Sequence, residues 1–480
     1  MDYREIIEQN RDAMLASLQD LVQIPSVQSA PVRKQDGTCY PFGQAVEDAL
    51  EYMLNLGREL GFTVKNVDHY CGHIEWKAEN PDAEIFAIAG HLDVVPEGNG
   101  WQHEPYAVTI DGNRMFGRGT IDDKGPVLAC LYAMKALKDA GYRPSRTIRL
   151  ILGLDEETGS DSVSYYLQHE KMPDLGITPD GDFPLTNGEM GILTFQLVSR
   201  MKKYSPKDGL VLSRLTAGTA PNIVPNEAKA VVTCSDKSTF ERIRAKVSDF
   251  ASATGYDIRT RKVGTSLAIE TKGISVHGST PDAGLNAISI LMAFLGELSF
   301  AGEEITEWVD YYNEHIGFHL HGESIGCALE DEPSGKLVFN VGMMEVNHDM
   351  AQMTINIRYP VTYASQDVYD GLEKSLEHTR IGILKETDEP PVYTPADDPF
   401  IQNLLSVYQE ETGDQEHLPW IDPGGTYSKF FRKMVAFGAL FPGETDTMHQ
   451  PEEYMNLDSW MTMTRIYARM LECICCEEEK

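Results

Sequence analysis

Two apolar runs enclose a helical stretch in the first third of the chain. Residues 83–95 (AEIFAIAGHLDVV) and 147–154 (TIRLILGL) are rich in β-branched side chains and have the length of buried strands. Between them, residues 125–140 repeat apolar side chains at helical spacing. A strand, a helix and a strand at this spacing predict a βαβ unit. Because parallel sheets are covered on both faces, we expect an α/β fold with a mostly parallel sheet and helices on both faces.

The second part of the chain has a different pattern. Strands of alternating polarity, such as MTINIRYP, are interleaved with two helical stretches, 238–254 and 282–300, which is typical of an α+β domain. The Pro-rich stretch DEPPVYTPADDP then interrupts both helix and sheet. We therefore predict a discontinuous domain, 1–188 and 391–480, that carries an inserted α+β domain, 189–390. Helical spacing also predicts helices over 3–23, 43–61 and 398–411.

Composition limits the partners of this protein. The 480 residues contain 41 Lys and Arg against 74 Asp and Glu, a net charge of −33 that repels nucleic acid. No window approaches 18 uncharged apolar residues and no export signal is visible, so we expect no membrane association and a cytoplasmic location. The 8 cysteines are too sparse to indicate a disulfide framework.

A histidine and an aspartate stand at the end of the first apolar run. His91 and Asp93 lie in AGHLDVVP, and the carboxyl ends of strands are where open α/β sheets bind ligands. Residues i and i+2 of a strand point to the same face, so Asp93 can fix the tautomer of the His91 imidazole. Alone, this pair also fits an ordinary surface contact.

Acidic residues follow at corresponding places. Asp122 and Asp123 in GRGTIDDKGP open the 125–140 helix, where they also fit helix capping. Three acidic residues in LDEETGS, residues 155–157, end the second apolar run. Because adjacent buried carboxylates repel each other, a divalent cation is an economical way to neutralise them; a solvated acidic turn is the alternative.

Three further residues extend this pattern: Asp180 and Asp182 in TPDGDFP, and His449 in GETDTMHQP. Together the segments supply two histidines, several carboxylates and no thiolate. Such a donor set suits Zn²⁺, Mn²⁺ or Co²⁺ rather than a zinc site built from cysteines.

The order of these motifs resembles that of a known family. AGHLDVVP, GRGTIDDKGP, LDEETGS, TPDGDFP, KGISVHGSTPDAGLNA and GETDTMHQP occur as in the dinuclear metallopeptidases that include ArgE, DapE, carboxypeptidase G and the aminoacylases. The similarity is closest to the PepV-like dipeptidases and runs from about residue 10 to the C-terminus.

The resemblance implies roles for the acidic and histidine residues. His91 and Asp180 would bind one metal ion, Glu157 and His449 the other, and Asp122 would bridge the two. Asp93 would orient His91, and Glu156 would be the general base that acts on the metal-bridging water. A shift of ligand duty from Asp180 to Asp182 stays open.

The resemblance also assigns a role to the inserted domain, which would be a lid over the substrate. His277 in SVHGSTPDAG would stabilise the oxyanion. The residues implied to grip the C-terminal carboxylate of the substrate are Asn222, Arg358 and the glycine loop Gly424, Gly425, Thr426 and Tyr427.

The function implied by the resemblance is hydrolysis of unblocked dipeptides. It requires two divalent metal ions per chain, with zinc expected and manganese or cobalt open, and a small peptide substrate. So large a lid is associated with a monomer. An N-acyl-amino-acid deacylase with the same centre, or a catalytically idle relative that binds metal or peptide, is the alternative; the presence of Glu156 argues against the idle relative.

Overall fold

The chain separates into two compact units. The computed structural model describes residues 2–477. The first unit contains the chain up to Gly188, the stretch Tyr393–Ile421 and the chain from Gly425 onward. The second unit contains Glu189–Val392 and Asp422–Gly424. These bounds differ from the expected insertion, 189–390, by two residues at its end and by the small segment Asp422–Gly424.

A large mixed sheet organises the first unit. Its four central strands are parallel and lie in the order Met434–Ala436, Leu175–Thr178, Ile85–His91 and Thr147–Gly153. Cys71–Trp76 and Thr63–Val67 continue the sheet in antiparallel orientation. The short strands Thr186–Glu189, Val392–Tyr393 and Trp420–Asp422 lie where the chain passes between the units. Helix Lys124–Asp139 joins two of the parallel strands, so the predicted βαβ unit is confirmed.

Alternating side chains of the strand Ile85–His91 pack into two hydrophobic cores, one on each face of the sheet. Phe86 and Ile88 belong to the larger core, which the long helices of this unit cover. Ala87 and Ala89 belong to a smaller core on the opposite face, with Tyr166 of a further helix. The two-residue period of a strand thus gives a sheet covered on both faces.

The remaining elements of the first unit are helices and small sheets. The other helices are Tyr3–Gln9, Arg11–Val22, Gln44–Glu59, Asp161–His169, Pro399–Thr412 and Leu457–Cys475, with a 3₁₀ turn at Tyr427–Phe430. The other strands are Val32–Arg33, Cys39–Tyr40, Thr109–Asp111, Arg114–Phe116, Arg143–Pro144, Tyr454–Asn456 and Cys476–Glu477. The helix expected over 3–23 is two helices separated at Asn10.

The second unit contains an antiparallel sheet of eight strands. Their order is Asp257–Val263, Ser266–Lys272, Glu227–Thr233, Val211–Ala217, Val338–Val346, Met350–Tyr359, Gly191–Arg200 and Ile381–Glu389. The helices are Lys237–Thr254, Ala287–Leu295, Glu303–His315 and Ser365–Leu376, with a 3₁₀ turn at Pro281–Ala283 and a small hairpin of Glu330–Asp331 and Gly335–Lys336. The helix expected over 282–300 is shorter: it runs over Ala287–Leu295, with Asn286 as its N-cap and Gly296 as its C-cap.

Membrane and disulfide features complete the description. No helix within residues 2–477 is both long and apolar enough to cross a lipid bilayer. The cysteines are free thiols, among them the buried Cys71, Cys130 and Cys327.

A core substitution tests this assignment of the sheet. Leu150 lies on the central strand Thr147–Gly153 and is fully buried, whereas Ile110 is 49% exposed. We expect Leu150→Ala to lower the free energy of unfolding by about 2–5 kcal/mol because it leaves a cavity. Chemical denaturation should show a much smaller change for Ile110→Ala. Equal losses from both substitutions would contradict the assigned core.

Candidate metal centre

Several residues predicted to bind metal lie at the carboxyl ends of the parallel strands, along one edge of the large sheet. His91 ends its strand and is paired with Gly153, the last residue of the neighbouring strand. The acidic turn that contains Glu157 follows Gly153 directly, and Asp180 lies two residues beyond the strand Leu175–Thr178. Because these strands are parallel, their carboxyl ends meet at the same edge.

Two groups of side chains converge at this edge. Within residues 2–477, groups whose possible ligand atoms all lie within 4.8 Å of one another are His91, Asp122 and Asp180, and Asp122, Glu157 and His449. Asp122 belongs to both groups. Its Oδ1 lies 3.0 Å from His91 Nε2, and its Oδ2 lies 2.9 Å from His449 Nε2. A carboxylate whose two oxygens face separate imidazoles has the geometry of a bridging ligand.

The outer carboxylates complete each group. Asp180 Oδ2 lies 3.8 Å from His91 Nε2, and Glu157 Oε2 lies 3.0 Å from His449 Nε2. Asp182, the alternative to Asp180, is in neither group, and its backbone forms an isolated bridge with Leu440. Of the two aspartates, Asp180 is therefore the one that belongs to a group within residues 2–477.

Asp93 connects His91 with the acidic turn that contains Glu156 and Glu157. Its Oδ1 accepts a hydrogen bond from the backbone N–H of Glu156, and its Oδ2 accepts one from that of Glu157, both at 3.1 Å. Asp93 Oδ1 also lies 3.4 Å from His91 Nδ1, and the Asp93 carbonyl oxygen lies 3.0 Å from the same nitrogen. One buried aspartate thus fixes the strand end and the acidic turn relative to each other.

Asp155 differs from its two acidic neighbours. Its carboxylate accepts hydrogen bonds from the backbone N–H groups of Asp161 and Ser162, at 2.8 and 2.9 Å. These donors lie in the first turn of the helix Asp161–His169, where a carboxylate is favourable. The expectation that a cation neutralises three adjacent carboxylates therefore needs correction, because a helix start satisfies one of them.

The pKa values of this edge reflect crowded carboxylates. Burial, followed by the charge of Asp122, raises the pKa of Asp180 to about 7. Burial also raises the pKa values of Glu156 and Glu157, with nearby carboxylates adding to the effect. Hydrogen bonds with Asp122 and Glu157 raise the pKa of His449 to about 11.

The donor set fits divalent cations. A cation among carboxylates favours their charged forms and so removes the cost of placing them together. The oxygen and imidazole atoms of the two groups, with no thiolate among them, match the ligands of zinc, manganese or cobalt.

The second unit brings two predicted lid residues close together. The backbone N–H of Gly278 donates to the carbonyl oxygen of Asn222 at 2.7 Å, and Ile223 forms a bridge with His277. The amide of Asn340 donates to the carbonyl oxygens on both sides of Asn222, at 2.9 and 3.2 Å. The backbone segments that contain Asn222 and His277 are therefore hydrogen-bonded to each other.

Arg358 lies on the strand next to that of Asn340. It is 5% exposed, and burial lowers the pKa of its guanidinium. The sheet alternation places it on the face opposite the apolar core, to which Ile355 and Ile357 belong.

The predicted glycine loop is divided between the units. Gly424 belongs to the second unit, where its N–H donates to Asp422 Oδ1 at 2.7 Å. Gly425 and Thr426 belong to the first, and Thr426 Oγ1 accepts the N–H of Ser428 at 3.2 Å.

Tyr427 contacts His91, which the sequence motifs do not predict. Its buried ring meets the His91 ring edge-on, with centroids 6.3 Å apart. Gly153 makes room for it, since a Cβ there would lie 2.0 Å from the Tyr427 hydroxyl. Tyr427 thus packs directly against the first histidine of the centre.

The carboxyl ends of the parallel strands thus gather imidazoles and carboxylates that suit divalent cations. Residues 87–472 match Peptidase family M20/M25/M40, and the chain belongs to this family. The resemblance drawn from the motifs is thereby confirmed.

Full-length relatives support the same assignment. The chain is 35% identical to YtjP of Bacillus subtilis (strain 168) over 470 residues, which cover 97% of this chain and 98% of that protein. It is 32% identical to the Beta-Ala-Xaa dipeptidase of Lactobacillus delbrueckii subsp. lactis, over 100% of this chain and 99% of that protein. The fold is similar to that of aminoacylhistidine dipeptidase from Vibrio alginolyticus, with a TM-score of 0.56, 15% identity and 97% of each chain covered.

Proposed function

We propose that this protein is a metal-dependent dipeptidase that hydrolyses the peptide bond of unblocked dipeptides. The observation that carries the proposal is the position of Asp122, whose two oxygens face His91 and His449 at 3.0 and 2.9 Å. Similarity to a Beta-Ala-Xaa dipeptidase along the whole chain supports a dipeptide as the substrate.

The metal ligands follow from the two side-chain groups. His91 and Asp180 would hold one divalent ion, Glu157 and His449 a second, and Asp122 both. When bound, such ions polarise a carbonyl group and lower the pKa of water. Zinc is the first choice, and the same donors admit manganese or cobalt.

Glu156 is the proposed general base. It is next to Glu157 but belongs to neither ligand group among the described residues. Asp93 fixes its backbone by accepting its N–H at 3.1 Å. Glu156 would take a proton from the attacking water and then deliver it to the nitrogen of the leaving amine.

The proposed substrate contacts are the residues that the family resemblance names. His277 would stabilise the oxyanion through its imidazole. Arg358 would bind the substrate carboxylate, because a guanidinium can donate two parallel hydrogen bonds to it. Asn222, Gly424, Gly425 and Thr426 are proposed to assist in binding that carboxylate.

Paired substitutions test the choice between the two aspartates of TPDGDFP. We expect Asp180→Asn to weaken binding of one ion and to lower dipeptide hydrolysis at least tenfold, because it removes a charged ligand near His91. Asp182→Asn, a matched change two residues away, should retain near wild-type metal content. Metal analysis after dialysis measures both. The reverse result would assign the ligand to Asp182.

A substrate panel tests the proposed reaction. Chelated protein is reloaded separately with Zn²⁺, Mn²⁺ and Co²⁺ and given one free dipeptide, its N-acetylated form and the matching tripeptide. Release of amino acids from the free dipeptide supports the proposal and identifies the working metal. Preference for the acetylated compound would move the function to deacylation, and no turnover with any metal would favour an idle relative.

The oligomeric state is part of the proposal. We propose a monomer, on the family association of a large inserted domain with single chains. Light scattering should then give the mass of one chain, 53.6 kDa. Twice that mass would contradict the monomer.

A further inference from the structure

A buried glutamate connects the two loops that carry Asp122 and His449. Glu453 is fully buried and lies four residues after His449. Its Oε1 accepts hydrogen bonds from the backbone N–H groups of Gly119 and Ile121, at 2.9 and 3.2 Å. Ile121 directly precedes Asp122. The glutamate therefore holds the backbone that presents the shared ligand.

The other oxygen of Glu453 meets a buried cation. Glu453 Oε2 lies 2.5 Å from Arg118, whose side chain is 1% exposed and which stands in the same loop as Gly119. The arginine also donates to the carbonyl oxygen of Pro96 and lies over the Trp101 ring. The charge of Glu453 is thus matched inside the protein, and the ion pair extends the connection to a third loop.

The backbone around this contact is held on both sides. The Gly117 N–H donates to the Glu453 carbonyl oxygen at 3.0 Å, and the strand Tyr454–Asn456 pairs with Arg114–Phe116. In the segment from His449 to the strand Tyr454–Asn456, two residues adopt left-handed backbone angles: His449, with a φ of 61°, and Glu452, with a φ of 64°. Such angles are unfavourable for these residues, so they persist only where the surroundings fix them.

We propose that Glu453 is a positioning residue that fixes Asp122 relative to His449 and so sets the affinity of the group Asp122, Glu157 and His449 for a divalent ion. This inference rests on the proposed function, which places an ion in that group. Groups that orient metal ligands without touching the metal commonly change metal affinity by about 10–100-fold when they are altered.

The test compares two buried glutamates that each pair with an arginine. Glu453→Gln retains the size of the side chain and one oxygen for Gly119 and Ile121 but directs a donor or a neutral group at Arg118. Glu75→Gln makes the same change in the pair of Glu75 with Arg149, at 2.5 Å on two strands of the same unit. A general loss of packing or charge should affect both variants alike.

The measurement is calorimetric titration of the chelated full-length protein with Zn²⁺, together with the visible absorption of the Co²⁺-loaded form. We expect Glu453→Gln to bind one of two ions about 10–100-fold more weakly and to change the Co²⁺ spectrum. We expect Glu75→Gln to bind both ions as the wild type does. Wild-type-like binding by Glu453→Gln, or an equal loss in both variants, would overturn the inference.

Two further outcomes separate this inference from the proposed function. If Glu453→Gln does not fold, Arg118→Lys weakens the same contact while retaining the charge, and unchanged Zn²⁺ affinity there would also overturn the inference. If wild-type protein binds two ions and Glu453→Gln is unaffected, only the inference fails. If wild-type protein binds fewer than two ions, the proposed metal centre fails together with it.

Discussion

Glu156→Gln is expected to lower kcat for dipeptide hydrolysis by about 10²–10⁴-fold while leaving metal binding intact. Glutamine has nearly the same shape but cannot accept the proton of the attacking water. The backbone N–H of residue 156 keeps its hydrogen bond to Asp93, so the turn should not move. Single-turnover kinetics and metal analysis of the same sample measure both properties.

The neighbouring glutamate provides the control for this prediction. Glu157→Gln removes a charged oxygen that lies 3.0 Å from His449 Nε2, so we expect it to lose metal as well as activity. The two adjacent substitutions should therefore differ in metal content. A wild-type rate for Glu156→Gln would remove Glu156 from the mechanism, and a loss of metal would make it a ligand.

Asp122→Ala is expected to have the second large effect, loss of both bound ions. Each oxygen of Asp122 faces a different histidine, so its removal breaks both groups at once. Residues that only orient a metal ligand typically change metal affinity by about 10–100-fold when they are altered, and the loss of affinity in Asp122→Ala should be larger than that. Titration of the chelated variant with Zn²⁺ measures it.

Asp123 is the matched control for Asp122. It is adjacent and fully buried, and its Oδ2 accepts the backbone N–H of His91 at 3.1 Å. Asp123→Asn can retain this hydrogen bond, so two ions should still bind. If Asp122→Ala kept two ions while Asp123→Asn lost them, the bridging role would belong to Asp123.

Short-range patterns predict much of this molecule. The apolar runs 83–95 and 147–154 become the strands Ile85–His91 and Thr147–Gly153, because parallel strands that are buried on both faces have nearly continuous apolar sequences. The strand ends then indicate where ligands gather. The five residues that the resemblance implies as metal ligands form two groups whose possible ligand atoms lie within 4.8 Å of one another: His91, Asp122 and Asp180, and Asp122, Glu157 and His449.

Long-range contacts and exact strand ends are not visible in the same way. Which aspartate of TPDGDFP lies near His91 depends on the path of the chain after the strand Leu175–Thr178, and a repeated Asp-x-Asp pattern fits either. Asp155 looks like its acidic neighbours until the helix Asp161–His169 supplies donors for it.

Glu453 shows the same limit more strongly. Its partners, Arg118 and the N–H groups of Gly119 and Ile121, lie more than 300 residues away in the chain. A lone glutamate after a histidine motif carries no local sign of such contacts. Only the assembled fold shows that its carboxylate binds the backbone next to Asp122.

The most direct test of the metal centre is anomalous diffraction from crystals of zinc-loaded protein, with data on both sides of the zinc absorption edge. We predict two peaks, one coordinated by His91 and Asp180 and one by Glu157 and His449, with Asp122 bound to both. A single peak, or peaks away from Asp122, would contradict a centre of two ions bridged by this aspartate.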